Sequence, residues 1–226
     1  MTKREQAVDI LRQWRAQVEL QSGAKVLAVR SDNGTELKSI LDEWCASFGV
    51  VPNYTLPYNS LQNGVAERGI RTTENSIRAM IKEAELPIEF WPEAAQTDAY
   101  LRNRVATGPL VDGKLTTPIE AFTGIKPSID HLRVWGCKCY SYVDPRSLPA
   151  NSRRDKLMDR GRVGVFLGYV EETTAFVKIW APDLGRVIRH NVVRYAENEK
   201  GGSVACASRL PTFFPKDDLW AGLARI

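Results

Sequence analysis

The strongest constraint on the fold is a change in hydrophobic period near residue 125. Before it, several segments repeat apolar residues every three or four positions, as amphipathic helices do. After it come short runs rich in β-branched and aromatic residues, separated by turn formers. We therefore predict an α/β region over residues 1–125 and a small antiparallel β-barrel over residues 130–197. Residues 198–226 have no clear period and are left as an unassigned tail.

Helices are predicted in the α/β region from the spacing of its apolar side chains. They cover residues 4–20, 37–48, 65–84 and 90–103. Thr117 is followed by a proline and then by Glu120, a capping box that predicts a further short helix. The tryptophans on apolar faces or strands are expected to pack in the core; they are Trp14, Trp44, Trp91, Trp135 and Trp180.

Strands are predicted in both regions. The apolar run Lys25–Arg30 indicates a strand in the middle of a sheet, because a strand covered on both faces is apolar throughout. A second strand, Val50–Thr55, is restricted to a sheet edge by Pro52, which has no backbone N–H. In the second region, strands are predicted at residues 135–143, 162–169, 176–180 and 186–193.

Composition excludes several classes of protein. The net charge of +4 and the pI near 8.9 are compatible with nucleic-acid binding but do not establish it. No apolar stretch approaches the roughly 20 residues that span a bilayer, so no membrane partner is expected. The four cysteines have irregular spacing and only two histidines accompany them, which argues against a zinc site. We expect an intracellular protein, in the nucleus or cytoplasm, and a structural role for His131.

Two acidic residues stand where a rigid scaffold can hold them. Asp32 directly follows the first predicted strand, and Glu67 lies in the first turn of a predicted helix. Carboxylates suit Mg²⁺ or Mn²⁺, and a pair of such ions can activate a nucleophile and stabilise a leaving oxygen in phosphoryl transfer. Each residue also has a plainer explanation: Asp32 begins an Asp-Asn-Gly turn, and Glu67 with Arg71 is a solvated i,i+4 pair.

Seven motifs, taken in order, resemble one family. They are Arg30–Leu37, Pro57–Arg68, Phe90–Ala94, Asn103–Arg104, Thr117–Ala121, His131–Cys137 and Gly164–Tyr169. From about Ala24 to Glu197 this series is similar to the integrase region of copia-type retrotransposon polyproteins. The resemblance implies a truncated ribonuclease H-like integrase core, followed by the SH3-like barrel found downstream in such polyproteins.

The resemblance also implies site residues. Integrases of this kind hold two Mg²⁺ with an Asp-Asp-Glu triad, in which Asp32 matches the second aspartate and Glu67 the glutamate. The triad's first aspartate has no counterpart, because Asp9 is the only aspartate before Asp32 and it lies on a predicted helix. Side chains expected beside the nucleic acid are those of Gln62, Asn63, Arg68 and Arg71, which suit phosphates and base edges.

We therefore expect a retrotransposon-derived integrase fragment that acts in DNA integration. It would bind nucleic acid and carry out metal-dependent strand transfer, but two of three carboxylates make it incomplete as an enzyme. The alternative is a non-catalytic nucleic-acid-binding remnant of a transposable element polyprotein. Expected partners are DNA or RNA, a homo-oligomer or an intact integrase copy, and Mg²⁺ or Mn²⁺ where the site is complete. A truncated reading frame, a domesticated remnant or a piece of a longer polyprotein would each explain the missing aspartate.

Overall fold

A computed structural model describes residues 3–31, 35–55, 64–106, 110–111, 113–144, 160–170 and 173–205. Within these residues, the helices are α1 (Lys3–Ser22), α2 (Thr35–Phe48), α3 (Gly64–Ala84), α4 (Trp91–Arg102), α5 (Pro118–Thr123) and α6 (Gly202–Ala205). A single 3₁₀ turn, Ile88–Phe90, precedes α4. The strands are β1 (Ala28–Ser31), β2 (Val51–Tyr54), β3 (Leu110–Val111), β4 (Lys114–Leu115), β5 (Cys137–Tyr142), β6 (Gly161–Val170), β7 (Thr173–Ala181), β8 (Arg186–His190) and β9 (Val193–Lys200).

The chain divides into two compact units. The first contains residues 1–72 and 106–127, and the second contains residues 73–105 and 128–226. The C-terminal part of α3 and all of α4 therefore pack with the large sheet, although the sequence assigns them to the first predicted domain. The limits 1–125, 130–197 and 198–226 divide the chain by its resemblance to family domains and not by packing. They stay a prediction.

The first unit is built around α2. Its buried centre consists of Leu41, Trp44, Cys45 and Val50. Side chains of α1, of the two-stranded sheet and of the segment before β1 pack against this centre; they are Val8, Leu11, Val26, Val29 and Tyr54. Strand β1 runs parallel to β2, with Ala28 opposite Val51 and Ser31 opposite Tyr54. This unit is thus a small α/β assembly, while its ribonuclease H-like identity stays a prediction.

The predicted burial of β1 on both faces is wrong. Among the described residues β1 pairs with β2 alone, and its exposure alternates along the strand. Val29 faces the α2 core, whereas Ala28 and Arg30 are exposed on the other face. Val26 contributes to the apolar run but lies before the strand, so continuous apolarity here does not mean two covered faces. The edge position of β2 is confirmed for the described residues.

The second unit is a five-stranded antiparallel sheet against which helices pack. The strand order is β8-β7-β6-β5-β9, and every pairing is antiparallel. One face packs against α3, α4 and α6; its buried apolar side chains include Ile81, Phe90, Ala94, Trp135, Val165, Leu167 and Trp180. The other face encloses Cys137, Cys139, Phe166, Tyr169 and Ile179, which Tyr100 of α4 joins. The predicted antiparallel architecture is confirmed.

Strand β9 is largely absent from the sequence-based prediction. The run 186–193 is typical of one strand, but the chain ends β8 at His190 and begins β9 at Val193. Strand β9 then continues to Lys200 and pairs with β5, inside a stretch that has no recognisable period. The pairing bulges between Cys137 and Lys138, which breaks the alternation that a sequence pattern relies on.

The capping box and most tryptophan predictions hold. The Thr117 hydroxyl accepts a hydrogen bond from the Glu120 N–H at 3.2 Å, and α5 begins as expected. Trp44, Trp135 and Trp180 are buried, and Trp91 is half-buried against the sheet core. The core assignment of Trp14 is wrong, because 45% of this residue is exposed on α1.

Candidate functional site

The first turns of α3 carry the predicted helix residues of the site. Glu67 lies in the first turn, where the positive end of the helix dipole favours a carboxylate. Glu67, Arg68 and Arg71 are all exposed. Ile70 is also 54% exposed, whereas Ile81 and Ala84 near the other end are buried. Packing therefore anchors the C-terminal half of α3 and leaves the N-terminal half accessible.

The plainer explanation of Glu67 holds in part, because its side chain is solvated on the surface of α3. No ion pair joins the described side chains of Glu67 and Arg71, although they are four residues apart on one helix. The next pair along the same helix does form, with Arg78 Nη2 3.8 Å from Glu74 Oε2. Glu67 and Arg71 are thus exposed charges available to a ligand, unlike Glu74 and Arg78.

The parallel pairing of β1 and β2 brings two chain segments to one edge of the small sheet. The Thr55 N–H donates to the Ser31 carbonyl at 3.0 Å, which fixes the carboxyl ends of the strands beside each other. Asp32 is the residue after β1, and residues 56–63 follow β2 and lead to α3. In open α/β sheets, ligands bind outside the carboxyl ends of the strands.

Tyr54 ties the end of β2 to α2. Its hydroxyl donates to Asp42 Oδ1 at 2.6 Å, and the Lys38 ammonium lies 5.0 Å from its ring centroid. Desolvation and the bond to Asp42 raise the pKa of Tyr54 to about 12, so the phenol remains a donor at neutral pH. This contact fixes where the chain leaves β2 toward α3.

Three predicted site residues, Asp32, Gln62 and Asn63, lie outside the described residues. Of the six predicted positions, the structure therefore places Glu67, Arg68 and Arg71 together on one helix. Within the part of the chain that is described, no group of three or more His, Cys, Asp or Glu side chains is arranged to hold a metal ion. The helices described contain none with the length and apolarity to cross a membrane.

The sheet of the second unit matches a known domain. Residues 137–206 match the family described as the retroviral polymerase SH3-like domain. Over 87% of its length the chain is 35% identical to the retrovirus-related Pol polyprotein from transposon TNT 1-94 of Nicotiana tabacum. Over 74% of its length the chain is 32% identical to the retrovirus-related Pol polyprotein from transposon RE1 of Arabidopsis thaliana.

The chain is similar to part of retrotransposon Pol polyproteins. It spans 14% of the tobacco polyprotein and 11% of the Arabidopsis one. The similarity to the tobacco polyprotein covers 197 residues, so it extends well beyond the SH3-like domain. The recognition of a retrotransposon integrase region followed by an SH3-like domain is confirmed.

A solved structure also resembles this chain. It is the cryoEM structure of the simian T-cell lymphotropic virus intasome in complex with PP2A regulatory subunit B56 gamma. The likeness has a TM-score of 0.42 at 14% sequence identity, and it covers 87% of this chain and 65% of that one. A likeness at that level does not establish a shared fold.

Proposed function

We propose that this chain is the C-terminal part of a retrotransposon integrase core, of copia type, that binds DNA through the N-terminal half of α3. The observation that carries the proposal is the pair of exposed guanidinium groups of Arg68 and Arg71, neither of them paired with another described side chain. The loop residues Gln62 and Asn63 precede the helix directly and offer amides to the same nucleic acid.

The metal chemistry fits the donor that the structure describes. Glu67 presents a hard carboxylate oxygen, exposed and without a side-chain partner among the described residues. Together with Asp32, which follows the carboxyl end of β1, it would hold Mg²⁺ or Mn²⁺. When bound, such ions stabilise the attacking and leaving oxygens of phosphoryl transfer. Arg68 and Arg71 would meanwhile orient the DNA through its phosphates.

Binding is tested first, with labelled duplex DNA and the full chain across a salt series. Log affinity should fall linearly with log salt, by about 0.9 per neutralised phosphate. Replacing Arg68 and Arg71 with Gln should lower that slope by up to about 2, if each makes one phosphate contact. Arg78→Gln is the matched control, since Arg78 is also exposed on α3 but faces Glu74. A wild-type chain that binds no duplex at low salt would contradict the proposal.

Catalysis is tested separately, by strand transfer with Mn²⁺ and a 3′-hydroxyl donor DNA. The isolated chain supplies two of the three carboxylates that the resemblance implies, so we propose that it binds DNA without completing the reaction. Activity that Glu67→Gln abolishes would show that the chain's own residues suffice and would overturn that part of the proposal. DNA binding without strand transfer is the result that the proposal expects, and a non-catalytic nucleic-acid-binding remnant would give the same result.

A further inference from the structure

The outer side of β5 exposes two tyrosines in a row. Side chains alternate along this strand, so that Cys137, Cys139 and Ser141 are buried inside the sheet while Tyr140 and Tyr142 point outward. Tyr140 is 37% exposed and Tyr142 is 43% exposed. The described helices pack on the same face of the sheet near Val165 and Trp180. They do not cover the part of that face where Tyr140 and Tyr142 lie.

The neighbours of these rings are defined by the strand register. Tyr140 lies opposite Val163 of β6 and opposite Arg194 of β9, and Tyr142 lies opposite Gly161. Val163 is 39% exposed, and the absence of a side chain at Gly161 leaves that flank of the Tyr142 ring uncovered. We call Tyr140, Tyr142, Val163 and Arg194 the tyrosine strip.

The tyrosine strip carries one unpaired positive charge, that of Arg194. Lys138 lies at one end of the strip, with its ammonium 5.5 Å from the Tyr140 ring centroid. Glu199 Oε2 lies 2.9 Å from the Lys138 Nζ and neutralises its charge. Arg194 is exposed and has no acidic partner among the described residues. A surface with aromatic faces and an unpaired guanidinium group complements bases joined by phosphates.

The spacing of the rings selects one form of nucleic acid. Alternate residues on a strand are roughly 7 Å apart. Stacked bases in a duplex rise by about 3.4 Å and are already covered by their neighbours. Two rings at the wider spacing suit bases that are splayed apart, which a single strand allows.

We propose that the tyrosine strip binds single-stranded DNA or RNA, with successive bases stacked on Tyr140 and Tyr142 and a phosphate against Arg194. This extends the proposed function, which places duplex DNA on α3, and it rests on that function only in taking nucleic acid as the ligand. The strip would give the chain a second contact, for the unpaired part of a nucleic acid.

The test compares a labelled oligothymidylate of about 20 nucleotides with a duplex of equal length, using fluorescence anisotropy and the full chain. Replacing both tyrosines with Ala should weaken single-strand binding at least tenfold, since each stacked base contributes roughly 5- to 150-fold. Duplex binding should change less than threefold. The double Phe variant should bind the single strand as the wild type does, because stacking needs the ring and not the hydroxyl.

Phe176→Ala is the matched control, because Phe176 is 40% exposed on β7, outside the strip. It should leave single-strand affinity unchanged, whereas Arg194→Ala should lower the salt slope by about 0.7. Unchanged single-strand binding in the double Ala variant would overturn the inference, as would a wild type that binds duplex but not single strands. The second result would leave the proposed function intact, while binding to neither nucleic acid would remove both.

Discussion

Thr97 of α4 and Gly168 of β6 meet so closely that no side chain fits between them. The Thr97 hydroxyl donates to the Leu167 carbonyl at 3.2 Å, and a Cβ on Gly168 would lie inside contact distance of that hydroxyl. Gly168 also has φ of 121°, in the region that favours glycine, at a bulge in the β6–β7 pairing. The junction between α4 and the sheet thus depends on one residue without a side chain.

Gly168→Ala should destabilise the second unit by roughly 2–4 kcal/mol, from backbone strain and overpacking together. The measurement is urea unfolding followed by tryptophan fluorescence. Gly161→Ala in the same strand is the control, because a Cβ there meets nothing within 4 Å. It should change the free energy of unfolding by less than about 0.5 kcal/mol. Equal effects at the two positions would contradict the packing explanation.

Two buried tryptophans should respond differently to replacement by Phe. Trp135 Nε1 donates to the Leu167 carbonyl at 3.2 Å, whereas Trp44 Nε1 is buried with no hydrogen-bond partner among the described residues. Trp135→Phe loses a bond, and Trp44→Phe removes an unsatisfied donor. Trp135→Phe should therefore lower the free energy of unfolding of the second unit by about 1–3 kcal/mol more than Trp44→Phe lowers that of the first unit. Hydrogen exchange of β6 and of β2 reports each unit separately, and a larger loss for Trp44→Phe would refute the prediction.

The two partners of the Asp98–Arg102 ion pair should differ in how much stability is lost when each is replaced by Ala. Arg102 Nη2 lies 2.5 Å from Asp98 Oδ2 and 2.6 Å from the Thr73 hydroxyl. The Asp98 side chain is 9% exposed and that of Arg102 is 36% exposed. Arg102→Ala leaves a buried carboxylate without its cation and should cost roughly 1–3 kcal/mol, reduced because solvent reaches the arginine. Asp98→Ala should cost less, since water can solvate the arginine.

A double-mutant cycle in urea measures the coupling of that pair, with Glu74→Ala as the control for an exposed pair on α3. The control should change the free energy of unfolding by no more than about 0.5 kcal/mol. A cost for Asp98→Ala that equals or exceeds that of Arg102→Ala would show that burial of the carboxylate is not the dominant effect.

His131 should make the second unit sensitive to mild acid. The Tyr100 hydroxyl lies 2.7 Å from His131 Nε2, where the neutral imidazole accepts a hydrogen bond. Desolvation, followed by the charges of Arg104 and Arg133, lowers the pKa of His131, while Asp130 opposes them. The folded state thus favours the neutral ring. Its contribution to stability is complete above the unfolded pKa near 6.5 and is lost as the pH falls toward the folded pKa.

Unfolding measured between pH 7.5 and 5.5 should show this loss in the wild type and a smaller one in His131→Gln, whose amide oxygen can accept from Tyr100. NMR titration of the imidazole provides the direct measurement. A His131 that titrates at or above its ordinary pKa would rule the explanation out. The structural role assigned to His131 from sequence agrees with its contacts to Tyr100 and Tyr169.

Local patterns along the chain are enough to define most helices and the family. Helical periods predict α1, α3 and α4 to within a few residues, because one face of each helix repeats every three to four positions. The capping box at Thr117 is equally predictable, since it needs only contacts between near neighbours. The order of seven short motifs identifies the retrotransposon relationship, and the same patterns place Glu67 at the start of a helix.

Which faces of the helices and strands are buried depends instead on the tertiary structure. The apolar run at β1 and the ring of Trp14 are expected in a core, but one strand face and much of that ring are exposed. Strand β9 exists because β5 offers it a pairing edge across a bulge, a non-local contact that leaves no period in the chain. The exposure of Tyr140 and Tyr142 likewise depends on where the covering helices end on the sheet. Burial is a property of neighbours distant in sequence, whereas helix periods and caps are properties of residues a few positions apart.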